Sequence, residues 1–83
     1  MRVKNNIAVS DNGFVFNPSS GESFTVNPVG LIILNMMRKG MEHSEITSNL
    51  RNEFNVDAAT AERDYFDFVE MMRQYRLMQH DDE

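Results

Sequence analysis

Residue types that commonly carry catalysis or bind metals are sparse in this sequence. The chain contains no cysteine, which excludes disulfides, cysteine-ligated zinc and thiol chemistry. His43 and His80 lie far apart, and neither has a partner at metal-ligand spacing. Ser44 stands next to His43, but adjacent helical residues do not face each other, so no triad is indicated. We therefore expect a protein that works by binding, with no catalytic residue, metal or cofactor.

The charge of the chain is unevenly distributed. Residues 1–41 carry four basic and two acidic side chains, whereas residues 42–83 carry four arginines and eleven acidic side chains, for a net charge of −5. The acidic half argues against nucleic acid, whose binding is dominated by phosphate neutralisation. No apolar signal segment follows Met1, and the apolar stretch 29–37 is too short to span a bilayer. We expect a cytoplasmic protein with no membrane partner.

Turn residues divide the first third of the chain into three short strands. Asn12-Gly13 between apolar runs is typical of a hairpin, because both residues tolerate positive φ. This predicts strands at about 6–10 and 13–17. The turn at 17–21, with its Pro and Gly, leads into a third strand at 22–27. Alternation in the third strand places Phe24 and Val26 on one face and Ser23 and Thr25 on the other.

Capping signals divide the remainder into three helices. Asn27 followed by Pro28 predicts a first helix at 28–39, with Gly40 just past its end. Ser44 is the predicted cap of a second helix at 44–54, whose buried stripe is Ile46, Leu50 and Phe54. Asp57 is the predicted cap of a third helix at 58–76. Its predicted core side comprises Ala61, Tyr65, Phe68, Val69, Met72 and Arg76.

Strands followed by helices indicate an α+β fold in a single domain spanning residues 1–83. We expect a three-stranded antiparallel sheet followed by three helices, with a winged-helix-like architecture. The folded part is predicted at about 6–78. Leu77-Met78 is expected to extend and pack back, and residues 79–83 are expected to form a frayed acidic tail.

Several spaced motifs resemble the PqqD family. The resemblance covers roughly residues 13–78, and it departs from the family at Arg76, where a glycine is usual before the closing pair. The motifs are Val26-Asn27-x-Val29-Gly30-x-x-Ile33-Leu34, then Gly40, then Ser44-Glu45-Ile46-x-x-x-Leu50, then Asp64-x-x-x-Phe68-Val69-x-x-Met72, and finally Leu77-Met78.

The resemblance implies a peptide chaperone, the recognition element for a ribosomally synthesised and post-translationally modified peptide. Members of this family bind the leader of a precursor peptide and deliver it to a modifying enzyme, often a radical SAM enzyme. The leader typically adds as a strand beside the third strand, in a cleft bordered by the third helix. Edge strands suit this role, because their unpaired N–H and C=O groups can accept another strand.

The candidate peptide-binding residues lie on the third strand and on one flank of the third helix. The strand offers Ser23, Phe24, Thr25 and Val26. The helix has two possible flanks, one with Glu62, Phe66, Val69 and Arg73 and the other with Asp64, Met71 and Tyr75. We select the Phe66 flank, because it combines an apolar anchor with charges, as recognition surfaces tend to.

Two other functions fit the same predicted fold. One is a winged-helix DNA-binding or transcription-associated domain, although acidic residues offset the arginines of the third helix. The other is an adaptor that forms homodimers through the third strand. With a peptide partner instead, we expect a monomer or a weak dimer.

Overall fold

A computed structural model describes residues 2–79, which form five strands and three helices. The strands are β1 (Arg2–Val3), β2 (Ala8–Val9), β3 (Phe14–Asn17), β4 (Glu22–Thr25) and β5 (Met78–Gln79). The helices are α1 (Pro28–Arg38), α2 (His43–Phe54) and α3 (Ala58–Gln74). An antiparallel sheet in the order β2-β3-β4 precedes the helices. The prediction of an α+β fold with this element order is confirmed.

The hairpin between β2 and β3 turns at Gly13, as the Asn-Gly signal predicts. Gly13 has φ +86°, and a Cβ there would lie 2.5 Å from the Val26 carbonyl oxygen. The Val26 N–H donates to the Gly13 carbonyl at 2.8 Å. Only glycine supplies both the left-handed backbone and the space. The turn residue therefore also fixes the chain where it leaves β4.

The first helix begins and ends as predicted. The Asn27 side chain accepts a hydrogen bond from the Gly30 N–H at 2.7 Å, and Pro28 is the first helical residue. At the other end Gly40 has φ +83°, and its N–H donates to the Met37 carbonyl. The Met41 N–H donates to the Met36 carbonyl, which completes a Schellman motif.

The start of α2 differs from the prediction. Its N-cap is Glu42 rather than Ser44, and Glu42 forms a capping box with Glu45, whose Oε1 accepts from the Glu42 N–H at 3.0 Å. The reciprocal pair satisfies two backbone groups, whereas a serine two residues later satisfies one at most. Phe54 is 37% exposed, so its place in the buried stripe is also wrong. The helix ends at Phe54, and its C-cap, Asn55, has a left-handed backbone with φ 54°.

The third helix ends at Gln74, before the predicted limit at residue 76. Arg76 adopts φ 58°, and its N–H donates to the Arg73 carbonyl. The Leu77 N–H donates to the Met72 carbonyl at 2.9 Å, so α3 ends in the same motif as α1 with arginine in place of glycine. Arg76 is exposed, so its predicted place on the core side of the third helix is wrong. Leu77, the next residue, is fully buried.

A second sheet, which the sequence did not predict, joins the two ends of the described chain. β1 pairs with β5, with Val3 opposite Met78, and the Lys4 N–H donates to the Leu77 carbonyl at 2.8 Å. Val3 and Met78 are buried. The fold therefore starts near residue 3 rather than 6, and the predicted packing of Leu77-Met78 is confirmed. Residues 80–83 of the expected tail lie outside the described residues.

The core fills the space between the sheet and the three helices. Within the described residues, no helix is long and apolar enough to cross a membrane. The largest fully buried side chains are Ile33, Leu34, Ile46, Leu50, Met72, Leu77 and Val15.

The N-cap of α3 gives a pH-dependent prediction. The Asp57 carboxylate accepts from the Thr60 N–H at 2.8 Å, and this hydrogen bond lowers the Asp57 pKa from its ordinary value of 3.8. Because the pKa is lower in the folded state, the stabilisation is complete above the unfolded value and is lost as the pH falls below it. Urea denaturation should show wild type more stable than Asp57→Asn at about pH 6, with the difference shrinking towards about pH 3. A pH-independent difference would contradict this.

The arginine at the left-handed position gives a second prediction. Arg76→Gly should raise the free energy of unfolding by about 0.5–1 kcal/mol, because a side chain destabilises this backbone conformation. Gln74→Gly is the matched control, since a glycine within the helix should lower stability by up to about 1 kcal/mol. Urea denaturation measures both, and a loss of stability in both variants would contradict the first expectation.

Candidate functional site

β4 is an edge strand with one side unpaired. Its register with β3 places Phe24 opposite Val15, and the Val26 N–H donates inward to Gly13. Because successive residues of a strand direct their backbone groups to opposite sides, Ser23 and Thr25 direct theirs outward. No other strand of the described residues pairs with this side. Two N–H and two C=O groups are therefore available to an added strand.

An aromatic pair connects β4 to the segment after α3. The rings of Phe24 and Tyr75 stack with centroids 4.4 Å apart and planes inclined by 14°. Phe24 and Val26 are half-buried against the core, while Ser23 and Thr25 are exposed, as the alternation predicts. The stack holds one end of β4 against the end of α3.

A cleft of about 410 Å³ lies between the end of β4 and α3. The chain from β4 into α1 forms one wall and α3 forms the other. The lining residues are Thr25, Val26, Asn27, Val29, Gly30, Ile33, Asp64, Asp67, Phe68 and Met71.

The α3 wall of the cleft combines two carboxylates with apolar side chains. Asp64, Asp67 and Met71 are spaced as neighbours on one helix face. The Phe68 ring lies behind them, close to α1, where a Cβ on Gly30 would lie 3.0 Å from Phe68 Cε1. A glycine at this helical position therefore lets the ring pack tightly at the base of the cleft.

The prediction that the Phe66 flank of α3 faces the strand is wrong. At about 100° per residue, Phe66 points to nearly the opposite side of α3 from Asp64. Phe66 is 55% exposed. All four residues of the chosen flank are placed away from β4, whereas the alternative flank of Asp64, Met71 and Tyr75 faces it. A 760 Å³ pocket near the start of α2 is lined by Phe66, Val69 and Arg73, and Glu62 lies beside it, paired with His43.

His43 lies at the centre of the aromatic contacts on that second face, a role that the sequence did not indicate. Its ring stacks on Tyr65 at 4.4 Å and meets Phe66 edge-on at 5.0 Å. His43 Nε2 and Glu62 Oε2 form a hydrogen bond. Burial, and secondarily the negative charge of Glu62, raise the pKa of the Tyr65 hydroxyl. His43 is thus part of an aromatic packing cluster, and His80 lies outside the described residues.

Sequence reasoning missed Asp67 and the role of Phe68 in the cleft. The available signal was the spacing of Asp64, Asp67 and Met71, which places them on one side of a helix. The spacing of Glu62, Phe66 and Arg73 also places those residues on one side of the helix, so spacing alone did not distinguish the two sides. Within the described residues, no group of three or more His, Cys, Asp or Glu side chains could hold a metal ion.

A comparison with known protein families shows the family to which the chain belongs. The family described as coenzyme PQQ synthesis protein D (PqqD) matches residues 13–78, most of the sequence. The chain belongs to the PqqD family. Among curated proteins, none matches this chain at a significant level. Arg76 stands at a left-handed backbone position, which a glycine would adopt without strain.

Two solved structures are similar to this PqqD family member over nearly their whole length. One is TbiB1 in complex with the TbiA(beta) leader peptide, with 26% identity, 95% of each chain covered and a TM-score of 0.85. The other is lasso peptide synthetase B1 complexed with the leader peptide, with 25% identity, 93% of each chain covered and a TM-score of 0.78. Both similar proteins were thus solved with a leader peptide bound.

The aromatic stack at the end of the cleft gives a testable prediction for this PqqD family member. A double-mutant cycle of Phe24→Leu and Tyr75→Leu should give a coupling energy of about 0.5–1.5 kcal/mol, because stacked rings contribute beyond their buried area. Urea denaturation of the four proteins measures it. Phe24→Leu with Phe66→Leu is the matched control pair, and these distant sites should be additive. Equal coupling in both cycles would contradict the assignment.

Proposed function

We propose that this chain is a non-catalytic recognition element that binds the leader of a ribosomally synthesised precursor peptide and presents it to a modifying enzyme. The observation that carries the proposal is the unpaired edge of β4 beside an open cleft. It is supported by family membership and by two similar structures that hold leader peptides.

The binding mode we propose is strand addition along β4. The leader forms backbone hydrogen bonds with Ser23 and Thr25, each contributing about 0.5–1.5 kcal/mol. Alternate side chains of the leader then enter the cleft and contact Val26, Phe68 and Met71. Backbone pairing supplies affinity for an extended chain, and the cleft supplies register.

The peptide-binding residues we propose differ from the sequence prediction on the helix side. Ser23, Phe24, Thr25 and Val26 remain proposed on the strand. On α3, the face with Asp64 replaces the face with Phe66, because the latter points away from the added strand. The bound leader therefore leaves the Phe66 face of the domain uncovered.

The modifying enzyme is the second partner in this proposal. Family members commonly serve radical SAM enzymes, which makes such an enzyme the first candidate. We place the encounter in the cytoplasm, where ribosomal precursors are made. The proposed roles of this chain are capture and presentation, since the cleft combines carboxylates and a hydroxyl with apolar groups, as a recognition surface does.

The two alternative functions make different demands on the same surface. DNA binding would require α3 to approach phosphates, yet its exposed face carries Asp67 and Glu70 beside Arg73. A homodimer would pair two β4 edges and would close the edge to any peptide. Sedimentation would reveal a homodimer, and a titration with DNA at low salt would reveal DNA binding.

Substitution of Thr25 separates backbone pairing from side-chain contacts. Thr25→Pro removes an outward N–H, so no bond to β3 is lost. It should weaken binding by about tenfold or more, because an added strand loses a hydrogen bond and meets the proline ring. Thr25→Val is the matched control, which keeps the N–H and should bind within about twofold of wild type.

The measurement is a fluorescence titration with synthetic leader peptides of candidate precursors encoded in the same genome. Two-dimensional NMR of the same titration should shift amides of residues 22–27 and 64–71. Circular dichroism checks that both variants fold. Equal binding by folded Thr25→Pro and wild type would refute strand addition, and shifts confined to α2 would refute the site.

A further inference from the structure

The cleft beside β4 has a strong charge asymmetry. Its polar lining includes two carboxylates, Asp64 and Asp67, one helical turn apart. No Lys, Arg or His is among the lining residues. The remaining α3 contributions to the wall, Phe68 and Met71, are apolar. A peptide in this cleft would therefore meet negative charge beside an apolar surface.

The two carboxylates are weakly compensated by the protein itself. Arg63 Nη2 lies 3.6 Å from Asp64 Oδ1, and the Arg63 side chain is 67% exposed. Such exposed pairs contribute little. For Asp67, no ion pair or hydrogen bond is present among the side chains that the structure describes. Both groups are therefore available to a cation supplied from outside.

The position of the carboxylates relative to β4 sets where that cation would lie. Phe24 contacts Tyr75 after the end of α3, whereas Thr25 and Val26 line the cleft with Asp64. α3 rises by about 1.5 Å per residue, so Asp64 and Met71, the outermost α3 residues of the cleft, are about 10 Å apart along it, which equals about three residues of a strand. One end of an added strand lies near the acidic pair and the other lies near the aromatic pair.

We propose that the cleft selects a leader segment with a lysine or arginine beside the Thr25 end of β4 and an apolar residue about two to four positions away, towards Tyr75. This inference rests on the proposed function. The acidic pair alone does not define the site, because the unpaired β4 edge and the leader peptides of the similar structures point to a peptide independently. The acidic pair adds specificity to that site, and the net charge of −5 attracts a basic segment from a distance.

The test is selection from a phage-displayed library of random peptides of about ten residues, about three times the length of the cleft. The immobilised bait is the full chain, as wild type or as Asp64→Asn/Asp67→Asn. We expect wild type to enrich peptides with a basic residue at a fixed distance from an apolar one. The double variant should lose the basic preference and keep the apolar one. Glu70→Gln is the control, because it removes one negative charge from a part of α3 that does not line the cleft.

Affinities of one selected peptide give the quantitative check. Exchange of its basic residue for glutamine should weaken binding to wild type about fivefold at low salt and leave binding to the double variant unchanged. About 0.5 M NaCl should reduce the difference, because these partly exposed charges are screened. The Glu70→Gln protein should behave as wild type.

The outcomes separate this inference from the proposed function. In one outcome, wild type enriches peptides that show no basic preference and that fail to bind Thr25→Pro. That result would overturn the inference and leave strand addition standing. An equal basic preference in wild type and the double variant would also overturn it. Failure to enrich any peptide, or enrichment that survives Thr25→Pro, would overturn both.

Discussion

The unpaired backbone of β4 is the constraint on which the rest of the site depends. A single neighbouring strand satisfies the inward groups of Phe24 and Val26, and the outward groups of Ser23 and Thr25 remain accessible. Open edges invite indiscriminate pairing, and proteins commonly cover or shorten them. Here β4 is four residues long and α3 stands across from it. A strand added along the Thr25 end of this edge would therefore also lie beside the cleft.

Local signals in the sequence predicted the elements that bound this edge. Asn12-Gly13, Asn27-Pro28 and Asp57 each act through neighbours within about four residues, so their roles follow from residue type alone. The second helix start was misplaced because Ser44 and Glu42 both offer cap chemistry, and only the reciprocal bond with Glu45 separates them. Local chemistry therefore sufficed for the fold class and for the position and alternation of β4.

These local signals could not predict features that depend on contacts between distant parts of the chain. β1 and β5 are two residues each, and nothing in either segment identifies its partner at the other end of the chain. The orientation of α3 likewise depends on how the helix packs on the sheet. Both of its flanks carry an apolar residue with charges, so residue type could not choose between Phe66 and Asp64. The preference for an exposed aromatic anchor selected the His43 cluster, which packs against α2.

The small β1–β5 sheet has a consequence for how this domain can be connected. Arg2 and Gln79 are cross-strand partners, so the chain enters and leaves the domain at one place, with strands about 5 Å apart. The β4 edge belongs to the other sheet. A domain connected in this way can be inserted into a loop of a larger protein, with both junctions side by side. The same architecture thus suits a separate subunit or an internal module.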